Sequence, residues 1–151
     1  MDADLILAIA HHLAVFSLVG VFAAEFALIR PGLAGARIAQ LARIDLAYGA
    51  LAGLVILVGV LRVFFGASGW QYYASNHMFW GKMVAFLVMG LLTIPPTLAI
   101  RHWTKQASEN PGFAPPASEI ARNRRYVHAQ AFMLVLIPSF AAAMARGYGI
   151  A

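Results

Sequence analysis

Four long apolar runs dominate the sequence, and each has about the length that a helix needs to cross a lipid bilayer. Crossing the hydrocarbon core takes about 20 apolar residues in a helix. The runs cover about residues 5–29, 46–65, 78–100 and 129–144, and the last one is short and contains Pro138. Of the 151 residues 62% are hydrophobic and only 11% are charged, too little charge to cover a soluble domain. We therefore expect a single domain that is an all-α, integral membrane four-helix bundle.

The basic residues predict how this bundle is oriented. One side of the membrane receives two basic stretches, between the first and second spans and between the third and fourth (Arg30, Arg37 and Arg43; Arg101, Lys105, Arg122, Arg124 and Arg125). The other side receives the N-terminus, with Asp2 and Asp4, and a middle loop over 66–76 that has no charged residue. Loops rich in lysine and arginine stay in the cytoplasm. Both termini are therefore expected outside, and 102–126 is expected to be the longest polar loop.

Ionisable side chains within or at the ends of the spans are predicted to form two layers. The outer layer consists of His11, His12, Arg62, His77, Lys82 and Arg146. The layer near the cytoplasmic face consists of Glu25, Asp45 and His128. Such groups are costly to place in lipid and usually face a partner or a cavity inside the bundle. Both layers are therefore candidate functional sites.

Helical spacing separates the two adjacent histidines. His11 and Glu25 are 14 residues apart, which leaves them about 40° apart around a helix, whereas His12 lies about 140° from Glu25. If Glu25 faces the bundle interior, His11 does so too, and His12 faces a neighbour or the interface. In the fourth span, His128 and Arg146 are 18 residues apart, which is about five full turns and places them on one stripe.

The outer loop is unusually aromatic around Asn76 and His77. It and the start of the third span contain Trp70, Tyr72, Tyr73, Phe79 and Trp80. Aromatic residues at a span boundary are typical of the belt that lies at the level of the lipid headgroups. The alternative is a lid over a pocket that opens outward.

The outer layer has the residue types that a b-type haem needs. There are no cysteines, which excludes thiolate metal sites, iron–sulfur clusters and covalently attached haem. A b-type haem needs one or two axial ligands from facing helices, an apolar slot and basic groups for its propionates. His11 is the candidate ligand from the first span, with Lys82 or His77 opposite, and Arg62 and Arg146 could meet the propionates. The alternatives are a Lys82 side chain that reaches outer water and arginines that anchor the span ends.

The stretch from Asp45 to Trp103 resembles a family of small bacterial four-helix membrane proteins of unknown function. The shared pattern is an early histidine and a later glutamate in the first helix, then D-x-x-Y-G, L-R, Y-Y-x-x-N, a lysine, and P-T before a tryptophan. In this chain the pattern falls on His11 or His12, Glu25, Asp45, Tyr48, Gly49, Leu61, Arg62, Tyr72, Tyr73, Asn76, Lys82, Pro96, Thr97 and Trp103. The resemblance implies the bacterial cytoplasmic (inner) membrane and no particular activity.

A second resemblance is to the HemJ type of protoporphyrinogen oxidase and to its CopD relatives. HHLAVFSLVG is similar to the HemJ first helix, in which a histidine leads an apolar run, and WGKMVAFLVMG is similar to its third helix, which has a lysine near its start. HemJ proteins are four-helix membrane proteins that bind b-type haem through that histidine. The resemblance implies that His11 and Lys82 hold the haem.

The leading hypothesis is therefore a haem b protein that carries out electron transfer or an oxidoreductase reaction, with a quinone or a porphyrin-like molecule as partner. One haem per chain is favoured over two, the second of which would use His102 and His128. The rival is a proton-coupled transporter or channel with Glu25, Asp45 and His128 as a relay. A third alternative is an accessory subunit or homo-oligomer that packs through Gly49 and Gly53, although these glycines also suit packing within the bundle.

Overall fold

A computed structural model describes residues 3–150 of the chain, so Asp2 lies outside the described residues. These described residues form five helices: α1 (Ala3–Leu28), α2 (Ala36–Phe65), α3 (Gly69–Ser75), α4 (His77–Glu109) and α5 (Ala117–Ala145). All except the short α3 are long and apolar enough to cross a membrane. The expected all-α bundle with four spans is confirmed.

We name the two ends of the bundle by their residues. The basic end carries the α1–α2 loop (29–35) and the α4–α5 loop (110–116), and the aromatic end carries α3 and the ends of the described chain. The charge pattern still predicts that the basic end faces the cytoplasm.

The helices extend beyond the apolar runs at the basic end. α2 begins at Ala36, α4 continues to Glu109, and α5 begins at Ala117. The expectation of a long polar loop over 102–126 is therefore wrong. Hydropathy marks only the part of a helix that lies in hydrocarbon, whereas these extensions are amphipathic and bury one face. Trp103 is fully buried there, and its Nε1 donates to Oε2 of Glu119 at 2.7 Å.

The bundle consists of two helical hairpins. α1 packs along α2 and α4 packs along α5, while α2 also touches α4 and α1 has a narrow seam with α5. Within residues 3–150, no Cα atom of α1 lies within 8 Å of a Cα atom of α4. These two helices are thus diagonal to each other, and the space between them is available for side chains or a ligand.

Two consecutive prolines lie inside α4 without ending it. Proline has no N–H, so the carbonyl four residues earlier loses its helical partner. For Pro96 that carbonyl belongs to Leu92, and Nε2 of Gln130 on α5 donates to it at 3.2 Å. A neighbouring helix therefore replaces the missing donor, which is how membrane helices tolerate proline.

Asn76, a fully buried residue at the aromatic end, is the N-cap of α4. Its Oδ1 accepts the backbone N–H groups of Met78 and Phe79 at 2.8 and 3.3 Å, and its Nδ2 donates to the Tyr148 carbonyl at 3.2 Å. Gly149 has a φ of +84°, and a Cβ there would lie 2.8 Å from Cγ of Met78. The C-terminal tail is thus fixed against the start of α4.

Close helix approach occurs at glycines other than those expected. A Cβ at Gly49 or Gly53 would meet nothing within 4 Å, because both lie on an exposed face of α2. The interior contacts are instead at Gly59, against His11, and at Gly81, against Phe140. The expectation that Gly49 and Gly53 pack within the bundle is wrong.

Candidate functional site

A cavity of about 320 Å³ lies in the half of the bundle nearest the aromatic end. Leu18, Val55 and Met89, all buried, are among its apolar lining residues from α1, α2 and α4. Of the aromatic residues at this end, Tyr73 and Phe79 line the cavity, whereas Trp70 and Trp80 are exposed. Two of these residues therefore suit a lid over the pocket, and the two tryptophans suit an aromatic belt at the level of the lipid headgroups.

One border of the cavity is formed by Ile56, Val60 and Phe64, which are exposed residues of α2. Exposed apolar side chains on a membrane-spanning helix face lipid. The cavity therefore opens sideways through the helix wall.

Three basic side chains line the cavity: His11 from α1, Arg62 from α2 and Lys82 from α4. Nδ1 of His11 and Nε of Arg62 are buried and have no hydrogen-bond partner among residues 3–150. Nζ of Lys82 lies 5.3 Å from the centroid of the Phe79 ring. An apolar cavity with basic groups and unpaired nitrogens favours a ligand that is largely apolar and carries negative charge.

Gly59 makes room for the imidazole of His11. A Cβ at this position would lie 3.4 Å from Cε1 and 3.8 Å from Nδ1 of His11. The Cε1–Nδ1 edge of the ring therefore faces the α2 backbone, and an alanine at 59 would be in ordinary van der Waals contact with it. The imidazole therefore lies between α2 and the cavity.

The other members of the outer layer lie away from the cavity lining. His12 is exposed and its Nδ1 donates to the Ala8 carbonyl at 2.7 Å. His77 is exposed at the start of α4, where its backbone N–H donates to the Gly149 carbonyl at 2.8 Å. Arg146 is exposed at the end of α5. The structure thus brings together three of the six outer-layer residues.

A second group of polar residues fills the bundle interior in the half nearest the basic end. This polar cluster consists of Glu25, Asp45, Tyr48, Thr93, Thr97 and Gln130. Oγ1 of Thr97 donates to Oδ1 of Asp45 at 2.6 Å, and the Tyr48 hydroxyl donates to Oε1 of Gln130 at 3.2 Å. Glu25 is 1% exposed, and neither of its carboxyl oxygens has a partner among residues 3–150.

His128 does not point into this cluster. Its ring is exposed and lies 4.9 Å from the Phe26 ring, and its Nδ1 donates to the Arg124 carbonyl at 2.6 Å. Phe132 and Val135, from the same stripe of α5, are also exposed. The stripe that His128 and Arg146 share is the outer face of that helix.

The chain matches the family model described as "Predicted membrane protein (DUF2214)" over residues 3–149. The chain belongs to this family. Comparison with curated proteins and with solved structures gives no match. The expected membership of a membrane protein family of unknown function is confirmed. The family description names no activity, so a function for this DUF2214 member must be argued from its own residues.

Sequence reasoning missed Gln130, which organises the polar cluster. Gln130 is fully buried and bonds to Tyr48, Thr93 and Leu92. An amide inside an apolar span was the available signal, because an unpaired amide is costly in lipid. Among residues 3–150 no group of three or more histidine, aspartate or glutamate side chains is arranged to bind a metal ion.

Proposed function

We propose that this membrane protein binds one haem b in the cavity near its aromatic end and takes part in electron transfer or an oxidoreductase reaction. His11 and Lys82 are the residues that would hold the haem iron. The supporting observation is that His11 of α1 and Lys82 of α4 line one apolar cavity, in which buried nitrogens of His11 and Arg62 have no hydrogen-bond partner among residues 3–150. The resemblance of the first and third spans to HemJ-type proteins points to the same two residues.

The residues present are compatible with a haem. The walls are mainly apolar, and the guanidinium of Arg62 is the kind of group that pairs with a propionate. The volume of about 320 Å³ lies at the lower end of the range for small-molecule sites. Because the cavity opens sideways, the edge of a flat ligand can extend into the lipid.

Each lining residue has a distinct role in this proposal. His11 would hold the iron through its imidazole, and Lys82 would do so through its amine in the neutral form. Arg62 holds a propionate, and Leu18, Val55 and Met89 keep water away from that part of the cavity. A bound haem would supply one-electron redox chemistry. A quinone or a porphyrin-like substrate could approach through the lipid-facing opening.

The positions of the other histidines support a single haem that is held by His11 and Lys82. His77 is exposed outside the cavity lining, which favours Lys82 as the second ligand. His102 and His128, the candidates for a second haem, are both exposed at the basic end. The charge pattern predicts that the haem lies near the outer face of the cytoplasmic membrane.

Absorption spectra of the protein purified from haem-supplemented cells test the proposal. We expect a Soret band in the wild type, its loss in His11→Ala, and its retention in His12→Ala. His12 is the matched control because it is the adjacent histidine on the same helix and is exposed. A wild type without any Soret absorption, or equal loss in both variants, would show that the proposal is wrong.

The second ligand is tested with the two lysines of the chain. Lys82→Gln should shift the Soret band, because the iron exchanges an amine for a weaker ligand or for none. Lys105→Gln should leave the spectrum unchanged, since Lys105 is exposed at the basic end. Identical spectra for Lys82→Gln and the wild type would remove Lys82 from the site while leaving His11 in place.

A further inference from the structure

We propose that Glu25 is a proton-binding site inside the bundle, and that it exchanges its proton with the basic end through Asp45. This site lies in the polar cluster, away from the cavity, and the proposal does not depend on haem. It changes the relay of Glu25, Asp45 and His128 expected from the sequence, because a groove lined by Asp45 takes the place of His128 as the route to the surface.

Glu25 has no partner that could stabilise a negative charge. It is 1% exposed and both of its oxygens are unpaired among residues 3–150. The Tyr48 hydroxyl donates its hydrogen to Gln130. The single hydroxyl hydrogen of Thr93 has two other acceptors, the Met89 carbonyl at 3.0 Å and Oε1 of Gln130 at 3.1 Å. The nearby donors therefore already have acceptors.

The charged groups around Glu25 do not neutralise it either. Asp45 on α2, within electrostatic range of Glu25, is also acidic. Arg124 on α5 donates from Nη1 to the Ile29 carbonyl at 2.7 Å, and its Cζ lies 5.9 Å from the Phe26 ring centroid. His128 and Arg30 are exposed.

A proton is the ligand that this arrangement can accept. A buried carboxylate without donors or a counter-charge is strongly disfavoured and neutralises by taking up a proton. A metal ion needs more ligands than the cluster offers, since no metal-binding group of three or more such side chains occurs in residues 3–150. One oxygen of Asp45 already accepts from Thr97.

Asp45 connects this site to the surface of the bundle. It lines a groove between α2 and α4 together with Thr97, Arg101 and Thr104. Arg101 is exposed at the basic end and is in electrostatic range of Asp45. The groove therefore connects Asp45 with the basic end, whereas Glu25 is not among the residues that line it. A proton can pass from the basic end to Asp45 and then to Glu25.

Infrared spectroscopy of the full-length protein in lipid tests the site, because the C=O stretch of a carboxylic acid is separate from the bands of a carboxylate. A carboxylic-acid band should be present in the wild type and should disappear in Glu25→Gln. The matched control is Glu109→Gln, which removes an exposed glutamate at the end of α4 and should leave the band unchanged. If Glu25→Gln fails to fold, Glu25→Asp should keep the band at a shifted frequency.

The route and the ligand are tested by two further measurements. Asp45→Asn should slow the exchange of the Glu25 proton for deuterium severalfold, while His128→Gln should not change that rate. Replacing Na⁺ with choline should leave the band unaltered. The proposal is overturned if no acid band depends on Glu25 at any pH at which the protein is folded. A band that responds to Na⁺ would also overturn it and would indicate a cation site.

Discussion

Gln130 supplies the hydrogen-bond donor that Pro96 lacks, and this leads to a specific prediction about stability. Gln130→Leu removes the amide that donates to the Leu92 carbonyl and the oxygen that accepts from the Tyr48 hydroxyl, both in an apolar interior. A leucine has about the same size, so the loss is mainly one of hydrogen bonds. Adding Pro96→Ala to Gln130→Leu restores an N–H to α4 that can donate to Leu92.

The magnitude follows from the number of bonds lost. Hydrogen bonds between membrane helices contribute about 0.6 kcal/mol on average and up to about 1.7 kcal/mol. The bonds to Leu92 and Tyr48 together give an expected loss of about 1–3 kcal/mol for Gln130→Leu. Thr93 adds little because the Met89 carbonyl is a second acceptor for its hydroxyl. Pro96→Ala should recover about half of the loss.

The assay is the free energy of unfolding in mixed micelles as the SDS fraction increases, measured as a double-mutant cycle. The cycle subtracts the effect of Pro96→Ala alone, which includes the higher helix propensity of alanine. The control is Pro95→Ala, which returns an N–H to the carbonyl of Leu91 rather than of Leu92. If Gln130→Leu lowers the free energy of unfolding equally with proline and with alanine at 96, Gln130 does not substitute for the donor that Pro96 lacks.

Two further predictions concern the stability of α4. Asn76→Ala should lower the free energy of unfolding by about 2 kcal/mol, because it removes a helix cap and a hydrogen bond to the C-terminal tail. Asn110→Ala, at the exposed other end of the helix, should lower that free energy much less in the same assay. Gly81→Leu should cost about 1–3 kcal/mol because a Cβ there would already lie 3.0 Å from the Phe140 ring, whereas Gly90→Leu should be tolerated, since nothing lies within 4 Å. Equal effects within either pair would contradict the packing described.

The sequence predicts the spans and part of the site because both depend on local periodicity. Hydropathy locates the four membrane-crossing helices, and a count of 3.6 residues per turn places His11 rather than His12 on the inner face, as in the structure. That count started from the assumption that Glu25 faces the interior, and Glu25 is indeed buried. These predictions need only the geometry of one helix.

The remaining features depend on contacts between helices. The partner of Gln130 is a carbonyl that a proline frees on another helix, and neither residue reveals the other in the sequence. His128 satisfies the same periodicity whether its stripe faces the interior or lipid, so its exposure could not be read from spacing. The helical extensions at the basic end have polar compositions that hydropathy assigns to a loop.

The sideways opening of the cavity determines how occupancy must be measured. A lipophilic molecule that enters between helices arrives from the bilayer, so its mole fraction in the membrane, rather than its aqueous concentration, sets binding. At fixed amounts of protein and ligand, adding lipid should therefore dilute the ligand and lower the bound fraction. Dissociation constants obtained at different lipid-to-protein ratios should agree only when they are expressed per lipid.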